Sequence, residues 1–287
     1  MVYYVVQIDT DGGKKNTTAM DIFTVVAILL IMGIPIYGYF KLKPDRIFNM
    51  NTQPRKVDHK PVEEEEQKEE EPILITGYTE ELVEIGGQWA YILAPEPIDP
   101  EDLPTLVIYN HGSITFVGEN LDEEFKKDLI AYAEALTPHN YLFAVSNAQG
   151  VDLDAPEAIS DNYNMYEYIK EKYGIQKKIN MIAFSKGGLR TLDFAAQYPE
   201  LVSKVALIAP VTNINRWDLQ RVEKIKDIDI KIWHGTADVN VGYIYTKDFV
   251  NKIGSLGKGI GLITLEGKTH WDVEIEYIDG VLQFLSN

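Results

Sequence analysis

Residues Ile179 to Gly188 read INMIAFSKGG, and the rest of the chain takes its meaning from them. Ile179 to Phe184 is a nearly continuous apolar run, as expected of a strand covered on both faces of a parallel sheet. Ser185 follows at once, and Gly187 and Gly188 open a helical pattern that runs to Gln197. A strand that passes into a helix through a serine forms a nucleophile elbow, the tight turn that lifts a hydroxyl above a sheet. The turn brings the positions two before and two after the serine close together, so both must be small. The usual pattern is G-x-S-x-G, and here Ala183 stands in the first glycine position. The plainer alternative is a serine that caps a helix.

On either side of this stretch, short β-branched runs alternate with periodic segments. The runs are 105–109, 141–145, 179–184, 205–208, 230–233 and 260–265, and the periodic segments lie near 121–136, 155–173, 187–197, 243–252 and 271–285. Upstream, Leu82–Ile85 and Trp89–Leu93 flank Gly86-Gly87, a hairpin signal. An antiparallel start followed by βαβ repeats predicts an α/β fold, a mostly parallel doubly wound sheet with helices on both faces.

Three further segments fall just past strand ends, where open α/β sheets bind ligands. Tyr109-Asn110-His111-Gly112-Ser113 comes after the first long strand. Its loop is placed to present the Ser113 N–H beside Ser185, and with the Lys186 N–H it forms an oxyanion hole. His111 precedes the turn and reads as structural. His234-Gly235-Thr236-Ala237-Asp238 ends the penultimate strand, and Thr269-His270 comes after the last. Serine needs a base, and the base needs a carboxylate to set its tautomer. The chain order Ser185, Asp238, His270 supplies the three in the sequence expected for such a sheet. Of the five histidines, only His270 combines that order with a loop position. Lys186 reads either as a positive charge at the pocket mouth favouring anionic substrates or as a lysine reaching to solvent, the latter preferred.

From about Leu82 to Leu285 the chain resembles an α/β-hydrolase, on Asn110-His111-Gly112, Ala183-Phe184-Ser185-Lys186-Gly187-Gly188, His234-Gly235-Thr236-Ala237-Asp238 and Thr269-His270. The resemblance implies an eight-stranded, mostly parallel sheet and a covalent mechanism that needs neither metal nor cofactor. It is similar to small esterases and to the catalytic domains of prolyl-oligopeptidase-type peptidases. Only about twenty residues join the strands on either side of Val211–Asp229, so a large lid is not expected there, although Asn213–Trp217 has room for a small cap. The function expected is a serine hydrolase acting on a small acyl substrate, an ester before a thioester or amide. The rival is an inactive interaction module on the same fold, toward which only Ala183 leans.

The first quarter of the chain reads differently. Residues 1–21 form a tail, and Ile22 to Phe40 (IFTVVAILLIMGIPIYGYF) contains no charge. As a helix it spans roughly 28 Å, enough for a single transmembrane span, with Tyr37, Tyr39 and Phe40 as an interfacial belt. Residues 41–72 form an acidic linker. Between Val57 and Pro72 there are eight acids against two bases, a self-repelling spacer before the domain at 73–287. Lys41, Lys43, Arg46, Arg55 and Lys56 after the span outnumber Lys14 and Lys15 before it, which leans the domain toward the cytoplasm. Lys14-Lys15 before an apolar run also begins like an export signal, which sends the domain outward. With 27 Lys+Arg against 44 Asp+Glu the chain carries −17, so phosphate backbones are repelled and nucleic acid is not an expected partner. It has no cysteine, which excludes disulfides, zinc–cysteine sites and a cysteine nucleophile.

Overall fold

The computed structural model describes residues 4–6, 18–20, 74–149 and 156–287. The chain divides into two units, Met1–Glu69 and Glu70–Asn287. In the first, strands β1 (Tyr4–Val6) and β2 (Thr18–Met20) pair antiparallel. The expected membrane span at 22–40 and the expected linker at 41–72 lie outside the described residues. Among the described residues no helix is long and apolar enough to cross a membrane.

The second unit carries eight strands: β3 (Gly77–Ile85), β4 (Gln88–Glu96), β5 (Thr105–Asn110), β6 (Tyr141–Ser146), β7 (Ile179–Phe184), β8 (Val202–Ile208), β9 (Asp229–Gly235) and β10 (Gly261–Leu265). They form one sheet in the order β10-β9-β8-β7-β5-β6-β4-β3. The β3–β4 hairpin pairs antiparallel and β4 lies antiparallel to β6, while every other pairing is parallel. Six helices accompany it among the described residues: α1 (Glu123–Leu136), α2 (Glu157–Tyr173), α3 (Gly187–Gln197), α4 (Leu219–Lys224), α5 (Tyr243–Ser255) and α6 (Ile278–Ser286).

Alternation along the strands sorts the core into two layers. In β5, Leu106 and Ile108 face Met165 and Ile169 of α2 and Leu192 and Phe194 of α3. Val107 and Tyr109 join the opposite layer with Leu129 and Tyr132 of α1 and Val281 and Leu285 of α6. A side chain of this size, fully withdrawn from water, contributes about 1.5–3 kcal/mol. β5 lies between β6 and β7, and the helices that leave β5 and β7 go to opposite faces. The crevice at that reversal of strand order is where such sheets place their ligands.

Two segments depart from expectation. The helix expected from Trp271 begins only at Ile278, and Trp271–Tyr277 is a series of turns. A continuous helix would use the Glu274 carbonyl for the Ile278 N–H. Instead that carbonyl accepts from the Tyr132 hydroxyl at 2.6 Å, and the Ile278 N–H turns to Ile275. The small cap expected at Asn213–Trp217 is a single 3₁₀ turn, Ile214–Arg216, followed by the six-residue α4.

Candidate active site

Ser185 sits between β7 and α3 with φ at +53°, a left-handed conformation that costs a non-glycine residue free energy and marks functional turns. Its carbonyl accepts from the N–H groups of Gly188 and Val211, which holds the turn. Ala183 is fully buried and pairs with Asn110 on one side and Leu207 on the other, so the elbow forms with alanine in the usual glycine position. Gly187 is the stricter requirement. A Cβ there would overlap the backbone carbonyl of Asn110. The missing side chain is what lets α3 start directly against the loop leaving β5.

That loop is tied to α3 from several sides. The Arg190 guanidinium donates to the carbonyls of His111 and Ala148, each at 2.7 Å. The Asn110 amide donates to Thr191 Oγ1 at 2.8 Å and accepts from Asn162 at 2.9 Å. His111 is fully buried, and its ring faces the carbonyls of Gly112 and Asn147. Burial, reinforced by the Arg190 charge, pushes its pKa down to about 4, so the ring is a neutral brace.

Asp238 and His270 arrive from β9 and β10. Gly235 has no room for a Cβ against the Lys268 carbonyl, and the Ala237 N–H donates to that same carbonyl at 3.0 Å. The loop after β10 therefore lies directly on the loop after β9. His270 Nδ1 is 2.7 Å from Asp238 Oδ2, and His270 Nε2 is 3.0 Å from Ser185 Oγ. A carboxylate only accepts, so Nδ1 carries the proton and Nε2 offers its lone pair to the serine hydroxyl. Asp238 Oδ1 accepts from the N–H groups of Asn240 and Val241, both at 2.8 Å. The three residues are 7, 6 and 2% exposed for Ser185, Asp238 and His270, so they lie in a largely dry environment.

Sequence reasoning passed over a fourth member. His234 Nε2 lies 3.1 Å from Asp238 Oδ2 and 2.9 Å from the Val241 carbonyl, and its Nδ1 is 2.7 Å from Thr246 Oγ1. Two acceptors face Nε2, so that nitrogen bears the proton and the Thr246 hydroxyl donates to the other. Burial holds the His234 pKa below the ordinary histidine value despite Asp238 nearby. Asp272, the other acid close to His270 in sequence, accepts from the Thr269 N–H and hydroxyl instead, at 2.8 and 2.7 Å.

A cavity of about 590 Å³ opens over the serine, lined among others by Ser113, Phe125, Phe184, Lys186, Trp271 and Glu274. Ser113 and Lys186 both line it, and the backbone N–H of neither donates to another described residue. The Lys186 side chain is exposed. Phe184 lies against the His270 ring with centroids 4.8 Å apart, and Trp271 meets it edge-on at 5.0 Å. Among the described residues no group of three or more His, Asp or Glu side chains is arranged to hold a metal ion.

This architecture is the α/β-hydrolase fold: an eight-stranded, mostly parallel sheet, a positive-φ serine at the β7–α3 elbow, and an acid and a histidine on the loops after β9 and β10. A family model described as alpha/beta hydrolase fold matches residues 154–246, a span that includes Ser185 and Asp238 and stops short of His270. Among solved structures, Est1E from Butyrivibrio proteoclasticus is similar at 19% identity and a TM-score of 0.55, over 72% of this chain and 97% of its own. The S-formylglutathione hydrolase FrmB from Staphylococcus aureus is similar at 16% identity and a TM-score of 0.56, over 75% and 99%. The dipeptidyl peptidase 4 of Porphyromonas gingivalis is similar at 15% identity and a TM-score of 0.56, over 72% of this chain and 35% of that larger protein. No curated protein matches the chain in sequence.

Proposed function

We propose that this protein is a serine hydrolase that cleaves carboxylic esters through an acyl-enzyme. The observation that carries the reading is the hydrogen-bonded line from Ser185 Oγ through His270, at 3.0 Å, to Asp238, at 2.7 Å, opening onto a cavity. Ser185 Oγ attacks the ester carbonyl carbon while His270 Nε2 takes its proton. The N–H groups of Lys186 and Ser113 receive the negative charge on the carbonyl oxygen. Collapse of the tetrahedral intermediate expels the alcohol, which takes the proton from His270. Water then enters, His270 removes its proton, and the acid leaves with Ser185 restored. Asp238 keeps the His270 proton on Nδ1 throughout. No step requires a cofactor.

The reading extends to a membrane-anchored enzyme. Its support is the uncharged run from Ile22 to Phe40 followed by the Glu-rich spacer, with the Lys/Arg count leaning the catalytic unit to the cytoplasmic side. Esters precede amides because an alkoxide departs with less assistance than an amine. The test is steady-state hydrolysis of p-nitrophenyl acetate and butyrate by the purified full chain and by Ser185→Ala. Turnover abolished in the variant is expected. Equal rates in a folded Ser185→Ala protein overturn the proposal.

A further inference from the structure

Glu274 forms part of the wall of the cavity above Ser185, and ester hydrolysis as described makes no use of it. Its side chain is fixed from behind. Tyr109 donates its hydroxyl to Glu274 Oε1 at 2.6 Å, and Tyr132 donates to the Glu274 backbone carbonyl at 2.6 Å. Both tyrosines are fully buried, with ring centroids 5.2 Å apart, and Tyr132 stacks on Phe143. This tyrosine pair belongs to the core, so the carboxylate does not swing freely out to water. The other oxygen, Oε2, receives no hydrogen bond from the described residues. Lys268, the cation closest in sequence, is committed to Glu276 at 2.7 Å.

The electrostatics are those of a half-made ion pair. Burial and the neighbouring Asp128 push the Glu274 pKa up to about 7, opposed by the Tyr109 hydrogen bond and by no cation. Asp128 lies in the same wall and is itself raised by burial. Among the described residues lining the cavity, Lys186 is the only lysine or arginine, and it is exposed, so water screens its charge. Glu274 is half-buried, and a carboxylate partly withdrawn from water without a countercharge costs stability, a cost that persists where function uses it. Phe125, Phe184 and Trp271 share the wall. Aromatic faces attract ammonium groups through their quadrupoles.

We propose that the site takes esters that carry an ammonium group, with Glu274 as the specificity-determining residue that receives the charge. The inference rests on the serine-hydrolase reading and names its substrate class. It runs opposite to the less favoured reading of Lys186, as a charge attracting anionic substrates, and accords with the preferred one, because the acid is held in the wall while the lysine is exposed to solvent.

The test compares two isosteric pairs in which a quaternary nitrogen replaces a carbon. An acylthiocholine against the matching 3,3-dimethylbutyl thioester puts the charge on the leaving group. A trimethylglycyl ester against the 3,3-dimethylbutanoyl ester puts it on the acyl side. Each kcat/KM is divided by the rate with hydroxide alone, which removes intrinsic reactivity. A preference of about tenfold or more for the cation is expected in one pair, equivalent to about 1.4 kcal/mol, and the favoured pair tells which side Glu274 reads. In Glu274→Gln, which retains an oxygen for Tyr109, the ratio should fall toward one. Because the ratio is taken within one preparation, loss of folded enzyme cancels. Equal rates within both pairs, or a preference that survives in Glu274→Gln, overturn the proposal. If none of the four esters turns over while p-nitrophenyl acetate is hydrolysed, the proposal is overturned; if p-nitrophenyl acetate too is untouched, it is the hydrolase reading that fails. Calorimetry with choline against 3,3-dimethylbutan-1-ol then decides the charge question. Choline binding lost in Glu274→Gln supports the proposal, and equal binding of the two alcohols overturns it.

Discussion

Replacing Asp238 with asparagine exchanges one carboxylate oxygen for an NH₂ group, and the surrounding hydrogen bonds set the consequence. The carboxylate lies under four N–H donors: Asn240 and Val241 on Oδ1, both at 2.8 Å, and His270 at 2.7 Å and His234 at 3.1 Å on Oδ2. Its side chain is wholly inaccessible to solvent. Asparagine offers one oxygen. The two backbone N–H groups have no other protonation state, so that oxygen goes to them, and the new NH₂ faces both imidazoles. Each ring must then present a lone pair. For His270 this moves the proton to Nε2, 3.0 Å from Ser185 Oγ, where the base needs its lone pair. The expected loss in kcat is up to about 10⁴, or about 5.4 kcal/mol in barrier height. For His234 the same shift removes the donor to the Val241 carbonyl, and an orphaned buried acceptor costs about 1–3 kcal/mol of stability. The assay is kcat on p-nitrophenyl acetate per folded molecule, with a thermal melt alongside. A kcat within about tenfold of wild type would refute this reasoning and make Asp272 the acid to test next. Asp272→Asn should otherwise retain activity, since its carboxylate is occupied by Thr269.

Three other outcomes are expected. Gly187→Ala forces its Cβ against the Asn110 carbonyl, so kcat should fall by about 10²–10³ as the loop bearing Ser113 is pushed from the serine, or the protein should lose about 1–3 kcal/mol; an unchanged enzyme in both respects would show that α3 does not press on that loop. His111 is neutral when folded, with a pKa near 4 against 6.5 for the free side chain, so the unfolded chain takes up the proton first. Its contribution is intact above pH 6.5 and is lost as pH falls toward 4, by about 3 kcal/mol in total, and His111→Asn should be measurably less pH-sensitive than wild type in denaturant titrations across that range. Protease added to intact spheroplasts should spare the catalytic unit beyond the Glu-rich stretch; its digestion with cytosolic markers intact would place it outside.

The features legible in the sequence were those that depend on chain order and local pattern. The Ile179–Phe184 run, Ser185 and the following glycines announce a strand, an elbow and a helix, and α3 spans the residues expected, Gly187–Gln197. That Asp238 and His270 come into line with Ser185 was legible because each falls just past an apolar strand. His234 was not, because a histidine four residues before the acid looks the same whether it faces the acid or the core. Only the turn at Gly235–Asp238 folds it back. Glu274 was hidden for a related reason. Its environment comes from Tyr109 and Tyr132, 165 and 142 residues away in sequence, and their periodicity marks them only as core. The helix expected from Trp271 failed because its pattern is apolar enough for either structure, and the Tyr132 hydroxyl decides between them. With six residues, α4 is too short to show a period.

The central claim is that Ser185 is a nucleophile activated by His270. It is tested most directly by treating the purified protein with a fluorophosphonate probe, digesting it, and locating the adduct by mass spectrometry. A single adduct is expected on the peptide containing Ser185, absent in Ser185→Ala and slowed by orders of magnitude in His270→Ala. Folded wild-type protein that remains unlabelled, or labelling that persists in Ser185→Ala, would contradict it.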